Sequence, residues 1–197
     1  MGCPNRRRML IDTIGVFCVV GSWLAYLALF LRWPSRRLAK PASNRTSLLG
    51  IVLQFSGVLL VWGWRRPLFS PLTGYPMANA ALVWLAIGTA VLGVVLSRRA
   101  LKALGSNWNF VAGVGPHHRL VTDGPYAVLR HPLYTGFFLL TFSTAIVWSD
   151  LVAFPWAGIL FVAGVCIRIR TEEKLLREVF GSDFESYVRR VRAFWVW

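Results

Sequence analysis

"YTGFFLLTFSTAIVWSDLVAFPWAGILFVAGVCIRIRTEE" runs from Tyr134 to Glu173. Residues 134 to 149 and 151 to 168 are apolar nearly throughout, and each falls slightly short of the roughly 20 residues a helix needs to cross a bilayer. Only Ser149 and Asp150 interrupt the pair. The pattern predicts a tight helical hairpin whose tip barely reaches the far side of a membrane. Three earlier runs, at about 10 to 31, 48 to 64 and 78 to 96, have the same character. The chain therefore reads as an all-α, polytopic membrane protein with about five transmembrane helices, and its length suits one membrane domain.

Composition agrees. Of 197 residues, 56% are hydrophobic and 15% charged, far from the balance of a soluble domain. The 22 Lys and Arg against 8 Asp and Glu would suggest nucleic acid in a soluble protein. Here they gather at the ends of apolar runs, where topology and anionic headgroups favour them, so no nucleic-acid partner is expected. Cys3, Cys18 and Cys166 stand alone and indicate neither a disulfide framework nor a metal site. At the start, "MGCPNRRR" puts Arg6 where a myristoylation signal wants Ser or Thr.

Orientation follows the positive charges. Arg32, Arg36, Arg37, Lys40 and Arg45 crowd the first loop, while Arg65 and Arg66 stand alone in the second. Arg98, Arg99 and Lys102 follow the third span, and the tail carries Arg189, Arg190 and Arg192. Five spans place the first loop, residues 97 to 133 and the tail in the cytoplasm, at the cost of exporting Arg6, Arg7 and Arg8. Residues 1–96 hold three spans, and residues 97–197 hold a connector, the hairpin and C-terminal helices. In the tail, an amphipathic pattern stops near Gly181 and restarts at Ser182, with Glu185 three residues on.

Two polar clusters stand at the cytoplasmic ends of the hairpin. In "GPYAVLRHPLYTG", Gly124 to Gly136, His131 precedes Pro132 and is biased away from helical dihedrals, which predicts a break before the fourth span. Backbone groups freed there need a protein or ligand partner, making the junction a candidate binding site. The competing reading is an interfacial cap, with Arg130 on headgroups and Tyr126 and Tyr134 in the aromatic belt. In "RIRTEEKLL", Arg168 and Glu172 share one helix face, and Glu173 and Arg177 share the next. Either pair is compatible with a plain surface salt bridge, but Arg168 lies where an apolar span ends, a place where ionisable residues tend to be functional. His117 and His118 precede a short β-like run, Leu120 to Val121; with no ligand-spaced partners they do not suggest a metal.

Together, "LKALGSNWNF", "HRLVTDGPYAVLRHPLYTG" and "RIRTEEKLLREVFGSDFESYVRRV" resemble the isoprenylcysteine carboxyl methyltransferase family, within a wider group of small membrane methyltransferases that includes phospholipid methyltransferases. The resemblance covers the C-terminal half. It implies an S-adenosyl-L-methionine pocket closed by the connector and tail. It also implies cofactor contacts at His118, Arg119, Leu120, Val121, Tyr126, His131, Pro132, Leu133 and Tyr134, with Arg168 and Glu172 as catalytic residues near the methyl acceptor. One departure is the ending "VRAFWVW", where the family usually has a proline after its V-x-R stretch. The acceptor implied is lipid or lipid-modified and reaches the site from the bilayer, an isoprenylcysteine-type carboxylate being the first expectation. Methylation of a phospholipid or small lipid at N or S, an NADPH-dependent sterol-type reductase and a non-enzymatic transporter or scaffold are the alternatives.

Overall fold

An apolar segment in a bilayer must pair its own amides and carbonyls, and a helix does this within itself. The computed structural model describes residues 6–33, 40–41, 44–65, 75–110, 113–114, 119–150 and 152–194, and each of the five apolar runs is helical. The helices are α1 (Arg6–Arg32), α2 (Asn44–Gly63), α3 (Pro76–Leu104), α4 (Pro132–Trp148) and α5 (Ala153–Arg190). Four of these are long and apolar enough to cross a membrane, and α4 is a shorter apolar helix. The architecture fits a multi-pass integral membrane protein. Two-residue strands β1 (Lys40–Pro41) and β2 (Gly113–Val114) pair antiparallel and tie the first loop to the connector at one end of the bundle.

Three local expectations differ from what forms. Leu120 and Val121 are not in a strand; among the described connector residues, Gly113 and Val114 take that role because Lys40 and Pro41 offer them an edge. The last span does not stop at Arg168. Nothing between Arg168 and Phe180 breaks a helix, so α5 continues to Gly181, where φ 48° and ψ −119° bend it, and resumes to Arg190. At 1.5 Å per residue its 38 residues extend about 57 Å, nearly twice the hydrocarbon thickness, so the charged part beyond Arg168 projects from the membrane.

The third difference concerns the hairpin. The turn at Ser149 and Asp150 exists, docked by the Asp150 amide on the Trp64 carbonyl at 3.1 Å. Yet the close backbone crossings are α2 with α5 and α3 with α4. Small residues decide this: a Cβ on Gly164 would lie 2.6 Å from the Gly50 carbonyl oxygen, and one on Gly93 would lie 2.7 Å from the Gly136 carbonyl oxygen. Between α4 and α5 stand phenylalanines instead, with Phe137 and Phe161 rings 5.1 Å apart and Phe142 and Phe154 rings 5.8 Å apart. These rings hold the two backbones apart, and α1 and α2 barely touch beyond the meeting of Trp23 with Trp62. A gap is left inside the bundle. His117, His118, Cys3, Arg36, Arg37, Arg66, Trp195 and Trp197 lie outside the described residues.

Candidate active site

The gap is a cavity of about 420 Å³ at the same end of the bundle as the connector and tail. That is within the range of pockets for small organic ligands. Its membrane half is aromatic, walled by Trp23, Tyr26 and Phe30 of α1, Phe55 of α2 and Phe137 of α4. Leu27 of α1 and Phe55 of α2 line it while being 55% and 44% exposed, so it reaches the side of the bundle between these two apolar helices. Trp23 is fixed by its indole N–H, which donates to Thr144 Oγ1 at 2.8 Å.

The other half is polar and is built on the break before α4. His131 has φ −127° and ψ 59°, outside the helical region, and Pro132 starts the helix where a missing N–H costs nothing. The amides freed at the break meet the tail: Arg130 N–H donates to the Arg192 carbonyl at 2.8 Å and His131 N–H to the Ala193 carbonyl at 3.2 Å. Those two amides are therefore committed to protein, and what the junction offers a ligand is side chains.

Arg130 braces the junction. Its Nε donates to Glu173 Oε1 at 2.9 Å, and its Nη1 donates to the Val188 and Val191 carbonyls. With its side chain 11% exposed, it is not a headgroup contact. Glu173 also lies 3.1 Å from His131 Nε2 and 3.4 Å from Arg177 Nη2. Burial alone would raise the Glu173 carboxyl, but the hydrogen bonds and charges of His131 and Arg130 outweigh it and hold it at about 2.

Glu172, one residue earlier and about 100° around α5, faces the cavity. It accepts a hydrogen bond from the Tyr134 hydroxyl, and its carboxylate stands 3.6 Å from Arg168 Nη2 and 3.7 Å from His131 Nδ1. Arg168 is buried, donates through Nη2 to the Phe110 carbonyl at 2.8 Å, and lies over the Tyr134 and Phe110 rings. Its Nε has no partner, nor has Nε2 of the fully buried Gln54 on the facing helix α2. Two orphaned donors on residues lining one cavity are what a site shaped for a polar ligand contains. Tyr126, in a 3₁₀ turn, is pinned by Tyr187 Oη–H donating to its carbonyl at 2.6 Å. Burial, then the charge of Glu172, pushes its phenol well above the usual range, so it faces the cavity neutral.

Of the expected site residues, Arg119, Leu120, Val121, Tyr126, His131, Leu133, Tyr134, Arg168 and Glu172 all line this cavity. Pro132 does not; as the first residue of α4 it is packed inside, where it sets the chain direction. His118 lies outside the described residues. Glu173 was legible in "TEE", since adjacent acids cannot share a helix face, although sequence pairs it with Arg177 alone. Asn107 and Phe110 fall in the "LKALGSNWNF" block, and Gln54 stands out as an amide within an apolar span. Trp23 and Tyr26 carry no signal that separates them from other aromatic residues facing a bundle.

Residues 84–178 match the model of the isoprenylcysteine carboxyl methyltransferase (ICMT) family. That segment is similar to the ICMT family. The matched segment contains the described cavity residues from Leu104 to Leu176, but not Trp23, Tyr26 or Gln54. Among similar proteins, the protein-S-isoprenylcysteine O-methyltransferase of Schizosaccharomyces pombe is 32% identical over 108 residues, 54% of this chain and 46% of its own. That of Homo sapiens is 32% identical over 119 residues, 56% of this chain and 40% of its own. The Dictyostelium discoideum enzyme aligns further, 28% identical over 183 residues, 87% of this chain and 74% of its own. The match with the first of these spans about half the relative's length.

Proposed function

We propose that the protein is a membrane methyltransferase that uses S-adenosyl-L-methionine to methylate a lipophilic acceptor, first of all the carboxylate of an isoprenylcysteine-type molecule. The observation that carries this reading is the junction of an aromatic, laterally open cavity with the buried Arg168–Glu172–Tyr134 cluster. It is supported by the match to the ICMT family and by similarity to protein-S-isoprenylcysteine O-methyltransferases. The charge distribution of the loops supports a cytoplasmic location for the site end of the bundle.

S-adenosyl-L-methionine supplies an electrophilic methyl group on a sulfonium. The cavity fits it in volume and in chemistry: neutral Tyr126 and the Glu172 carboxylate suit a cation, and the connector segment Arg119–Val121 walls the same space. Tyr126, His131 and Tyr134 would hold it, with Leu133 packing beneath. Arg168 would orient the acceptor carboxylate through its free Nε edge, and an ionised carboxylate needs no general base. Glu172 neutralises Arg168 and orients Tyr134. The aromatic half of the cavity takes the hydrocarbon chain and excludes water from the reacting groups.

Calorimetry on the purified protein in detergent should give S-adenosyl-L-methionine binding in the micromolar range. Membranes incubated with methyl-labelled cofactor and a prenylated cysteine should acquire base-labile label, as an ester would. Absence of binding to well-folded protein sinks the methyltransferase reading. Base-stable label on a lipid would retain methyl transfer and replace the carboxylate acceptor with an amine or thiol.

A further inference from the structure

A second depression, of about 530 Å³, lies between α5 from Cys166 to Glu173 and the tail from Val188 to Ala193. Its floor is apolar, Cys166 and Ile169, and its rim carries Arg170, Arg189, Arg190 and Arg192. Arg190 donates to the Ser186 carbonyl at 3.2 Å, whereas Arg170, Arg189 and Arg192 form no ion pair with a carboxylate among the described residues. Glu173, the acid on its wall, is taken up by Arg130, His131 and Arg177. The rim therefore presents uncompensated positive charge to an anion.

Ile159 and Val162 lie seven and four residues before Cys166, on the same stripe of α5, and both are exposed on the apolar part of the helix. An exposed apolar stripe ending in an arginine-rimmed groove at the membrane boundary has the shape and polarity of a phospholipid. An acyl chain would lie along Ile159 and Val162, and the phosphate would reach the rim.

We infer that this groove binds the phosphate headgroup of an anionic phospholipid. The groove shares its wall with the active-site brace. A phosphate bridging Arg170 of α5 to Arg189 and Arg192 holds down the segment whose Val188 and Val191 carbonyls receive Arg130 and whose Arg192 and Ala193 carbonyls cap the break before Pro132. Lipid occupancy thus stiffens the polar half of the cavity. The inference stands whatever reaction the cavity performs.

The test is thermal unfolding of the full chain in phosphatidylcholine nanodiscs with increasing phosphatidylglycerol. Three proteins are compared: the wild type, the triple variant Arg170→Gln/Arg189→Gln/Arg192→Gln, and a control triple Arg98→Gln/Arg99→Gln/Lys102→Gln with the same charge loss at exposed positions of α3. Phosphatidylglycerol should raise the wild-type midpoint. The groove variant should need roughly 10- to 100-fold more of it, while the control responds as wild type. Equal loss in both triples would mean diffuse surface charge and overturn the site, as would a groove variant that responds normally. A wild-type rise produced equally by millimolar inorganic phosphate, with no anionic lipid, would make the ligand a free anion and overturn the headgroup. Should the triple variant fold poorly, native mass spectrometry of the wild type and Arg170→Gln decides. Retention of phosphatidylcholine as strong as phosphatidylglycerol, or no weakening in Arg170→Gln, refutes the inference.

Discussion

Replacing Glu173 by Gln keeps the shape and removes the charge that holds Arg130 and His131. The side chains of Glu173, Arg130 and His131 are 9%, 11% and 7% exposed, so the guanidinium left behind has little water to turn to. Breaking a buried pair from one side costs about 3–5 kcal/mol. Arg130 keeps two carbonyl acceptors, Val188 and Val191, which places the loss at the lower end, near about 3 kcal/mol. The carboxyl itself leads to the same size. Its fall from 4.5 to about 2 is worth about 3–4 kcal/mol at about 1.4 kcal/mol per pH unit. For a chain of this length that lowers the unfolding midpoint by roughly 6–12 °C. Because the folded carboxyl lies below its unfolded value, the stabilisation is complete above about pH 4.5 and disappears as pH falls toward about 2. The midpoints of wild type and Glu173→Gln in detergent, followed by tryptophan fluorescence, should therefore differ most at pH 7 and by less than half as much at pH 3. A pH 7 difference under 2 °C, or one that stays constant down to pH 3, refutes the reasoning.

Tyr126→Ala and His131→Ala should each weaken S-adenosyl-L-methionine binding by about ten-fold or more in calorimetry, the loss of roughly one charge-assisted or aromatic contact. Unchanged affinity in both would remove them from the cofactor wall. Arg168→Lys keeps the charge but loses the planar fork beside Phe110 and Tyr134, so KM for a carboxylate acceptor should rise about 10- to 100-fold while cofactor affinity changes little. Equal turnover by the lysine variant would show that Arg168 acts only as a charge. Gly164→Ala should cost about 1–3 kcal/mol and Gly164→Leu more, because the Gly50 backbone cannot move aside. A fully stable Gly164→Leu protein in detergent melts would contradict the α2–α5 crossing.

Much of this molecule is readable along the chain. The apolar runs dictate helices because hydrocarbon leaves the backbone no other partner, and all five form within a few residues of their expected limits except at the ends of the third, which runs on to Leu104, and the last, which runs on to Arg190. His131–Pro132 dictates a break, since the ring of a proline disfavours helical dihedrals before it. Arg168 and Glu172 are one turn apart on any helix, so their meeting is local and visible in advance. Closeness in sequence suggests that α4 and α5 pack together, while the glycines that pair α5 with α2 and α4 with α3 decide where backbones approach.

The presence and order of the helices, the break before α4 and the identity of the polar groups at its edge were thus set by sequence alone, because each follows from contacts within a few residues. What the tertiary structure decided is everything that joins distant segments. Glu173 reaches Arg130 and His131 across more than forty residues, the tail carbonyls cap the break, and Gln54, Trp23 and Tyr26 of the first two helices complete the cavity. No periodicity encodes these meetings. They arise where Gly50 and Gly164, and Gly93 and Gly136, let two pairs of helices close while phenylalanines keep a third pair apart.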